Sequence, residues 1–105
     1  MSESDTQKQI LEYLAHKHIW CRRYANRVVY IGGRPFTPIR LPNGKPDNGH
    51  PDIIAKLKNS VVNIECKGTG KQSDEQKAWQ KEAEGRGEIY ILAKKVEDVM
   101  ALFEK

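Results

Sequence analysis

Cysteine is scarce in this chain, which holds Cys21 and Cys66 and no third cysteine. A cysteine-based zinc site needs about four ligands in paired spacings, so this class of metal site is excluded. One disulfide bond could join the two residues. A reduced pair is favoured, because the first five residues are polar and acidic and lack the basic and apolar pattern of a secretory signal. We therefore expect a cytoplasmic protein with free thiols.

Long apolar runs are also missing, since no stretch reaches the roughly 18 residues that a membrane-spanning helix needs. At 105 residues the chain is too short for two domains. With 38% hydrophobic and 30% charged residues, it does not have the composition of a disordered protein either. What remains is one globular domain over residues 1–105, which buries roughly two-thirds of the surface that its unfolded chain exposes.

Acidic residues are nearly absent from residues 19–51, where Asp47 is the single acid. The whole chain has a net charge of +4, and this segment alone carries six basic residues: Arg22, Arg23, Arg27, Arg34, Arg40 and Lys45. Aromatic residues are interleaved with them: Trp20, Tyr24, Tyr30 and Phe36. Arginines among aromatic side chains suit a phosphate backbone with stacked bases nearby, and a solvated basic surface is the alternative.

Hydrophobic periodicity and turn residues predict the elements of the domain. A capping-box pair, Ser4 and Gln7, predicts a first helix over 7–17. Strands are expected at 27–31, 36–41, 53–57, 61–67 and 88–93, with two later helices that begin at Ser73 and near Val96. This order predicts an α/β or α+β sandwich in which helices flank a mixed β-sheet.

The second predicted hairpin places three charged side chains on one face. If residues 58–59 form its loop, Asp52 lies opposite Glu65, and if residues 59–60 form it, Asp52 lies opposite Lys67. In both registers the three side chains share a face because side chains alternate along a strand, whereas a three-residue loop would separate them. Directly opposed Cβ atoms lie about 4.5–5.5 Å apart, close enough for two carboxylates to share a cation.

The other face of the same strand carries an apolar row, Val62, Ile64 and Cys66, which can pack against a helix. Glu65 and Lys67 therefore do not belong to a strand that is polar on both faces. One interpretation of their charges is a cross-strand salt bridge with Asp52. The other is a metal-dependent phosphodiesterase site, in which two acids and a lysine stand at the end of a strand pair beside a loop rich in glycine and proline.

Pro51-Asp52, followed by Glu65-Cys66-Lys67, resembles the PD-(D/E)XK nuclease pattern. More narrowly, the whole chain is similar to a stand-alone VRR-NUC domain, the virus-type replication and repair nuclease module. The segments that carry this resemblance run nearly end to end: Glu3-Ser4-Asp5 ahead of Gln7 and Ile10-Leu11, Trp20 with Arg22, Gly49-His50-Pro51-Asp52-Ile53, Ile64-Glu65-Cys66-Lys67, Ser73 with Gln76, and Val96-Glu97-Asp98-Val99. The resemblance implies an α/β fold with a restriction-endonuclease-like core, and DNA cleavage in a bacterial or phage-infected cell.

The resemblance also implies roles for the charged residues. Asp52 and Glu65 would hold Mg²⁺ or Mn²⁺, with the backbone carbonyl of Cys66 as a third ligand. Lys67 would orient or activate the attacking water and stabilise the charge of the transition state. Such a nuclease hydrolyses a phosphodiester bond and leaves a 5′-phosphate.

Two helix residues complete the expected site. The resemblance matches Glu3 to an acid of the first helix, and Glu3 shares a helix face with Gln7 and Ile10, so that it can reach the site. An acid that favours the helix dipole is the alternative for Glu3. Gln76 shares a helix face with Trp79, which favours a polar partner of the site, and a capping role explains Gln76 almost as well.

DNA is the expected partner, with Arg22, Arg23 and Arg27 as the leading contacts to its backbone. By resemblance we expect recognition of branched DNA, such as a four-way Holliday junction, and a homodimer whose two sites match the symmetry of the junction. The dimer surface would be the hairpin over 28–36 or the last helix. A non-catalytic nucleic-acid-binding module that keeps a relic of the site is the alternative function.

Overall fold

The computed structural model describes residues 2–24, 29–36, 41–43, 47–68 and 70–104. Within these ranges the chain is an α/β protein whose elements are α1 (Glu3–His16), β1 (Cys21–Arg23), β2 (Val29–Ile31), β3 (Arg34–Phe36), β4 (Ile53–Leu57), β5 (Ser60–Cys66), α2 (Asp74–Gly85), β6 (Ile89–Ala93) and α3 (Val96–Phe103). Among the described residues, no helix is long and apolar enough to cross a membrane.

Four of these strands form one mixed sheet in the order β1-β4-β5-β6, and β2 pairs with β3 in a separate ladder. β4 is antiparallel to both β1 and β5, whereas β5 and β6 are parallel. A parallel pair needs a crossover connection, and α2 lies within it. The prediction of a mixed sheet flanked by helices is therefore confirmed.

One face of the sheet is covered by α1 and α3. Ile10 and Leu14 of α1 and Val99 of α3 are fully buried there. The sheet contributes alternate residues of its strands to this core: Ile53, Ala55, Val62, Ile64, Cys66 and Ala93. Asn63 points to the other face, where Trp79 of α2 donates a hydrogen bond from Nε1 to its Oδ1 (3.1 Å). The sheet thus lies between α1 and α3 on one side and α2 on the other.

α1 begins earlier than the predicted start at residue 7. Its N-cap is Ser2, whose Oγ accepts a hydrogen bond from the Asp5 amide (3.1 Å), so the prediction of a cap at Ser4 is wrong. The reason is a tertiary contact: Thr6 is 1% exposed, and its Oγ1 donates to the Lys94 carbonyl (3.4 Å) from inside the helix. As a consequence, Glu3 belongs to the first helical turn.

The first predicted hairpin is present, because β2 pairs with β3 across the expected glycine turn. Gly32 and Gly33 have φ values of 57° and 78°, the left-handed conformation that a tight hairpin turn of this kind requires. The second strand begins at Arg34, directly after the turn, and not at Phe36 as predicted. Residues 27–28 of the first predicted strand and residues 37–40 of the second lie outside the described residues. Leu41, the predicted end of the second strand, is described and is not in a strand.

The second hairpin has the register of a two-residue loop. Leu57 pairs with Ser60, and Ile53 pairs with Ile64. Lys58, at the first loop position, has a φ of 56°, as tight hairpin turns require. The loop therefore consists of residues 58–59. This register excludes a loop over residues 59–60 and a three-residue loop.

Gly49 lies where the loop before β4 touches the first turn of α2. A Cβ at this position would lie 2.8 Å from the carbonyl carbon of Glu75 and would overlap its oxygen. We expect Gly49→Ala to lower the free energy of unfolding by about 1–3 kcal/mol. The matched control is Gly85→Ala, in open space at the end of α2, which should leave stability unchanged or raise it. Urea unfolding measures both, and wild-type stability of Gly49→Ala would contradict this close contact.

Candidate active site

Asp52 and Glu65 lie side by side at the end of the β4–β5 hairpin, and we call them the carboxyl pair. Extending the pairing of Ile53 with Ile64 by one residue sets Asp52 opposite Glu65. The amide of Cys66 donates a hydrogen bond to Asp52 Oδ2 (2.8 Å), which holds this carboxylate against the end of β5. The hairpin thus brings both acidic side chains to one place.

Glu65 is almost fully buried, with 4% of its surface exposed. Its Oε2 is buried without a hydrogen-bond partner. Burial raises the pKa of Glu65 to about 9, and the Asp52 carboxyl adds to this rise through its hydrogen bond and its charge, whereas the charge of Lys67 lowers it. Ionised Glu65 is therefore costly in this environment, and a bound cation would offset that cost.

Lys67 directly follows β5, and its backbone amide donates to the carbonyl of Ala93 (2.9 Å). Its charge lowers the pKa of Glu65, the direction expected of a cation on the side of the carboxyl pair. Lys67 forms no salt bridge with that pair, because the ion pairs in the described part of the chain are Lys17–Glu104 and Arg86–Glu88. The interpretation of these charges as a cross-strand salt bridge is therefore not supported, and the ammonium is available to a ligand.

Glu3 reaches the same site from the first turn of α1. Its Oε1 accepts a hydrogen bond from the amide of Gly68 (3.2 Å), one residue beyond Lys67. Its charge also contributes to the raised pKa of Glu65. The structure thus brings Glu3 together with the carboxyl pair and Lys67, which depends on the early start of α1.

Gln76 closes a capping box in the first turn of α2. Its side-chain oxygen accepts a hydrogen bond from the Ser73 amide (2.9 Å), and Ser73 Oγ accepts one from the Gln76 amide (3.2 Å). As far as the structure describes the chain, the Gln76 side chain has no hydrogen bond to Asp52 or Glu65. The helix cap accounts for the position of this side chain.

Tyr90 of β6 belongs to the surroundings of the site, although no sequence pattern indicates it. It pairs with Asn63 in the parallel ladder and therefore lies on the same face as Glu65. Burial raises the pKa of Tyr90, and the charges of Glu65 and Asp52 add to the rise, while a hydrogen bond from Gln72 (3.1 Å) opposes it. The alternation of side chains along β6 could place Tyr90 beside the site only if the register of β6 with β5 were known. The sequence does not supply that register.

His50 anchors the loop that leads into the site. Its ring lies between those of Tyr24 and Trp79, with centroid distances of 4.9 and 4.8 Å. His50 Nδ1 lies 2.8 Å from the Pro51 carbonyl, as expected when this nitrogen donates. The loop is thereby fixed on both sides directly before Asp52. No role is predicted for His50 from the sequence.

The three arginines expected to contact DNA do not all lie on one surface. Arg22 pairs with Ile54 and lies on the face of the sheet that carries the carboxyl pair, whereas Arg23 pairs with Ile53 and lies on the face that α1 covers. Arg27 falls outside the described residues. Of the two arginines that are described, Arg22 is the one on the face of the site.

The carboxyl pair fits a hard divalent cation. Among the described residues, no group of three or more His, Cys, Asp or Glu side chains is placed to hold a metal ion. Two carboxylates are nevertheless enough for Mg²⁺, which keeps several of its waters. The Cys66 amide donates to Asp52 Oδ2, and Glu65 Oε2 is buried without a hydrogen-bond partner. The two carboxyl groups of the pair are the side chains that would hold such an ion.

Glu65 should make the stability of the metal-free protein depend on pH. Its pKa in the folded state, about 9, lies above its ordinary value of 4.5, so the folded state binds the extra proton and stability falls as the pH rises between these values. We expect the melting temperature to fall over this range more steeply in the wild type than in Glu65→Gln, whose amide stays neutral. Equal pH dependence of the two proteins, measured by calorimetry with a chelator, would contradict the effect of burial on Glu65.

No protein-family model, no curated protein and no solved structure matches this chain. The geometry of the carboxyl pair, with Lys67 and Glu3 beside it, is therefore the basis for a functional conclusion. That geometry combines a buried acid, a second acid held by a backbone amide and a lysine without an ion-pair partner in the described part of the chain.

Proposed function

We propose that this chain is a metal-dependent DNA endonuclease similar to stand-alone VRR-NUC domains, with a restriction-endonuclease-like core. The observation that carries the proposal is Glu65, a nearly buried carboxyl group whose Oε2 has no hydrogen-bond partner and which lies opposite Asp52. A purely structural role does not account for it, because a buried carboxyl oxygen without a hydrogen-bond partner costs free energy of folding. Two acids followed by Lys67 also match the pattern of PD-(D/E)XK nucleases.

Asp52 and Glu65, with the backbone carbonyl of Cys66, would hold Mg²⁺ or Mn²⁺. When bound, the cation would acidify a coordinated water and offset the negative charge of the scissile phosphate. Asp52 is already positioned in the metal-free protein, because the Cys66 amide holds its Oδ2. Binding would therefore require little rearrangement of this side chain.

Lys67 and Glu3 would act around the reacting phosphate. The Lys67 ammonium, whose charge lowers the pKa of Glu65, would donate hydrogen bonds to a phosphate oxygen or orient the attacking water, and so stabilise the charge of the transition state. Glu3 accepts from the Gly68 amide and thereby positions the segment that follows Lys67. The products would carry 5′-phosphates, as the resemblance implies.

Branched DNA, such as a Holliday junction, is the proposed substrate, and a homodimer is the proposed form. The net charge of +4 and the position of Arg22 on the face of the site suit a phosphate backbone. A two-fold dimer would present two sites to a four-way junction. The cytoplasm of a bacterial or phage-infected cell is the proposed location.

The purified protein should nick branched or duplex DNA with Mg²⁺ or Mn²⁺ and lose this activity on chelation. Lys67→Ala should reduce the cleavage rate by about 100-fold or more, because a donor to the transition state is removed. Lys8→Ala changes an exposed lysine of α1 and should cleave at the wild-type rate, which makes it the matched control. Nicking of circular DNA, followed on gels, measures all three proteins.

A protein that binds DNA but leaves every substrate intact with either metal would instead be the non-catalytic module. Asp52→Asn gives a second distinction between the two functions. In the nuclease it should abolish cleavage while the melting temperature stays about the same, because an amide oxygen at this position can still accept the hydrogen bond from the Cys66 amide. A large fall in the melting temperature would assign Asp52 a structural role.

Light scattering at micromolar protein should give about twice the chain mass of 12.0 kDa. The candidate surfaces are the β2–β3 ladder and α3 around Met100 and Phe103. Val99 is fully buried and Phe103 packs against the core, so α3 also completes the monomer, and the ladder is the better candidate. A mass near 12.0 kDa with and without junction DNA would rule the dimer out.

A further inference from the structure

Part of the sheet face that carries the carboxyl pair is open to solvent. α2 packs on β6, at the opposite edge of the sheet from β1. On β1 and β4, Arg22 and Lys56 are exposed, and Trp20, directly before β1, is 44% exposed. We call Trp20, Arg22 and Lys56 the open track.

The open track lies on the same face as Asp52. Arg22 pairs with Ile54, and Asp52, Ile54 and Lys56 are alternate residues along one strand direction. The carbonyl of Trp20 accepts a hydrogen bond from the Lys56 amide (3.0 Å), which sets these two residues side by side. Lys56 is about 13 Å from Asp52 along an extended strand. A few nucleotides can span this distance.

Trp20 presents an aromatic surface beside a fixed positive charge. The Cζ atom of Arg22 lies 4.8 Å from the centroid of the Trp20 ring, and Arg22 Nη1 donates to the Cys21 carbonyl (2.7 Å). The guanidinium is thus held by the ring and the backbone, with no ion pair in the described part of the chain. The exposed part of the indole is a surface on which a base can stack, and such stacking tolerates any base.

A basic cleft of about 390 Å³ continues the open track beyond Lys56. Trp20 and Lys56 line it together with three further basic residues: Lys17, His18 and Lys58. Glu104 is the one acid in this lining, and it is paired with Lys17 (3.7 Å). The cleft therefore keeps a surplus of positive charge, which suits a polyanion.

Lys56 itself has no ion-pair partner among the described residues. Its charge lowers the pKa of Glu88, but Arg86 binds both oxygens of that carboxylate (3.0 and 3.3 Å). Glu88 also accepts a hydrogen bond from Asn63 Nδ2 (3.0 Å), so two other side chains already bind its carboxylate. Lys56 is available to a phosphate.

We propose that the open track binds a single-stranded nucleic-acid segment next to the cleaved bond, with a base stacked on Trp20 and phosphates on Arg22 and Lys56. That a bond is cleaved at the end of the open track rests on the proposed function. Cations beside an exposed aromatic ring are the arrangement that single-strand binding surfaces use. A duplex, whose bases already stack on one another, leaves the ring of Trp20 without a partner.

The test measures binding in the presence of a chelator, so that no metal-dependent cleavage takes place. A fluorescein-labelled thymidine oligonucleotide is titrated with protein, and its anisotropy gives the affinity. Trp20→Ala should weaken binding by about 10-fold, because one stacking contact is lost, and Trp20→Phe should retain part of it. Since Trp20 is exposed, its replacement leaves the core intact, which the melting temperature checks.

Lys56→Ala should lower the slope of log affinity against log salt by about 0.7, the value for one phosphate contact on a single strand. Lys8→Ala, on α1 at the other side of the sheet, is the matched control and should change neither affinity nor slope. Equal single-strand affinities of wild type and Trp20→Ala would overturn the proposal. If Trp20→Ala lost affinity equally for a blunt duplex, the proposal would also be overturned, because the open track would then bind a duplex backbone.

Cleavage assays with Mg²⁺ separate this proposal from the proposed function. If the wild type cuts no DNA but binds the oligonucleotide through Trp20, the nuclease is rejected and the single-strand track is supported. If the wild type cuts junctions and Trp20→Ala binds the oligonucleotide as the wild type does, the nuclease is supported and the track is rejected.

Discussion

The pairing of Leu57 with Ser60 across a two-residue turn is the constraint on which the candidate site depends. Because side chains alternate along strands, this pairing decides which residues of β4 and β5 lie opposite one another on each face of the sheet. It sends Ile64 into the core and sets Asp52 opposite Glu65 on the other face. A slip of one residue would expose the apolar row, so the hydrophobic core itself holds the two acids in register.

Burial has opposite effects on the contributions of neighbouring β5 residues to stability. Ile64 and Cys66 stabilise the fold by their removal from water, whereas Glu65 between them is destabilising when ionised. Burial also raises the pKa of the Cys66 thiol to about 12, and the acids around it add to the rise. The thiol is therefore protonated and unreactive at neutral pH, and Cys66 acts as a core residue.

The sequence predicts what local patterns determine: the turn at Lys58, the alternation that joins the charged residues on one face, and the helix that starts at Ser73. It does not predict what distant parts of the chain decide. Several adjacent polar residues are able to cap α1, and the contact of Thr6 with the segment before α3 selects among them. β1 is too short to show a pattern, so the separation of Arg22 from Arg23 follows only from its register with β4. In the same way, the position of Tyr90 beside the site follows only from the register of β6 with β5.

The hydrogen bond between Glu3 and Gly68 joins positions 65 residues apart, and that between Thr6 and Lys94 spans 88 residues. The β4–β5 hairpin, by contrast, consists of neighbouring segments and can form early. During synthesis on the ribosome, the two central acids can meet as soon as the hairpin has emerged. α1 also packs on β1 and β5, and its packing against Lys94 and α3 becomes possible only after that segment has been made. The helix that carries the third acid is thus held by elements made both before and after the hairpin, and its full packing forms later than the hairpin that carries the other two acids.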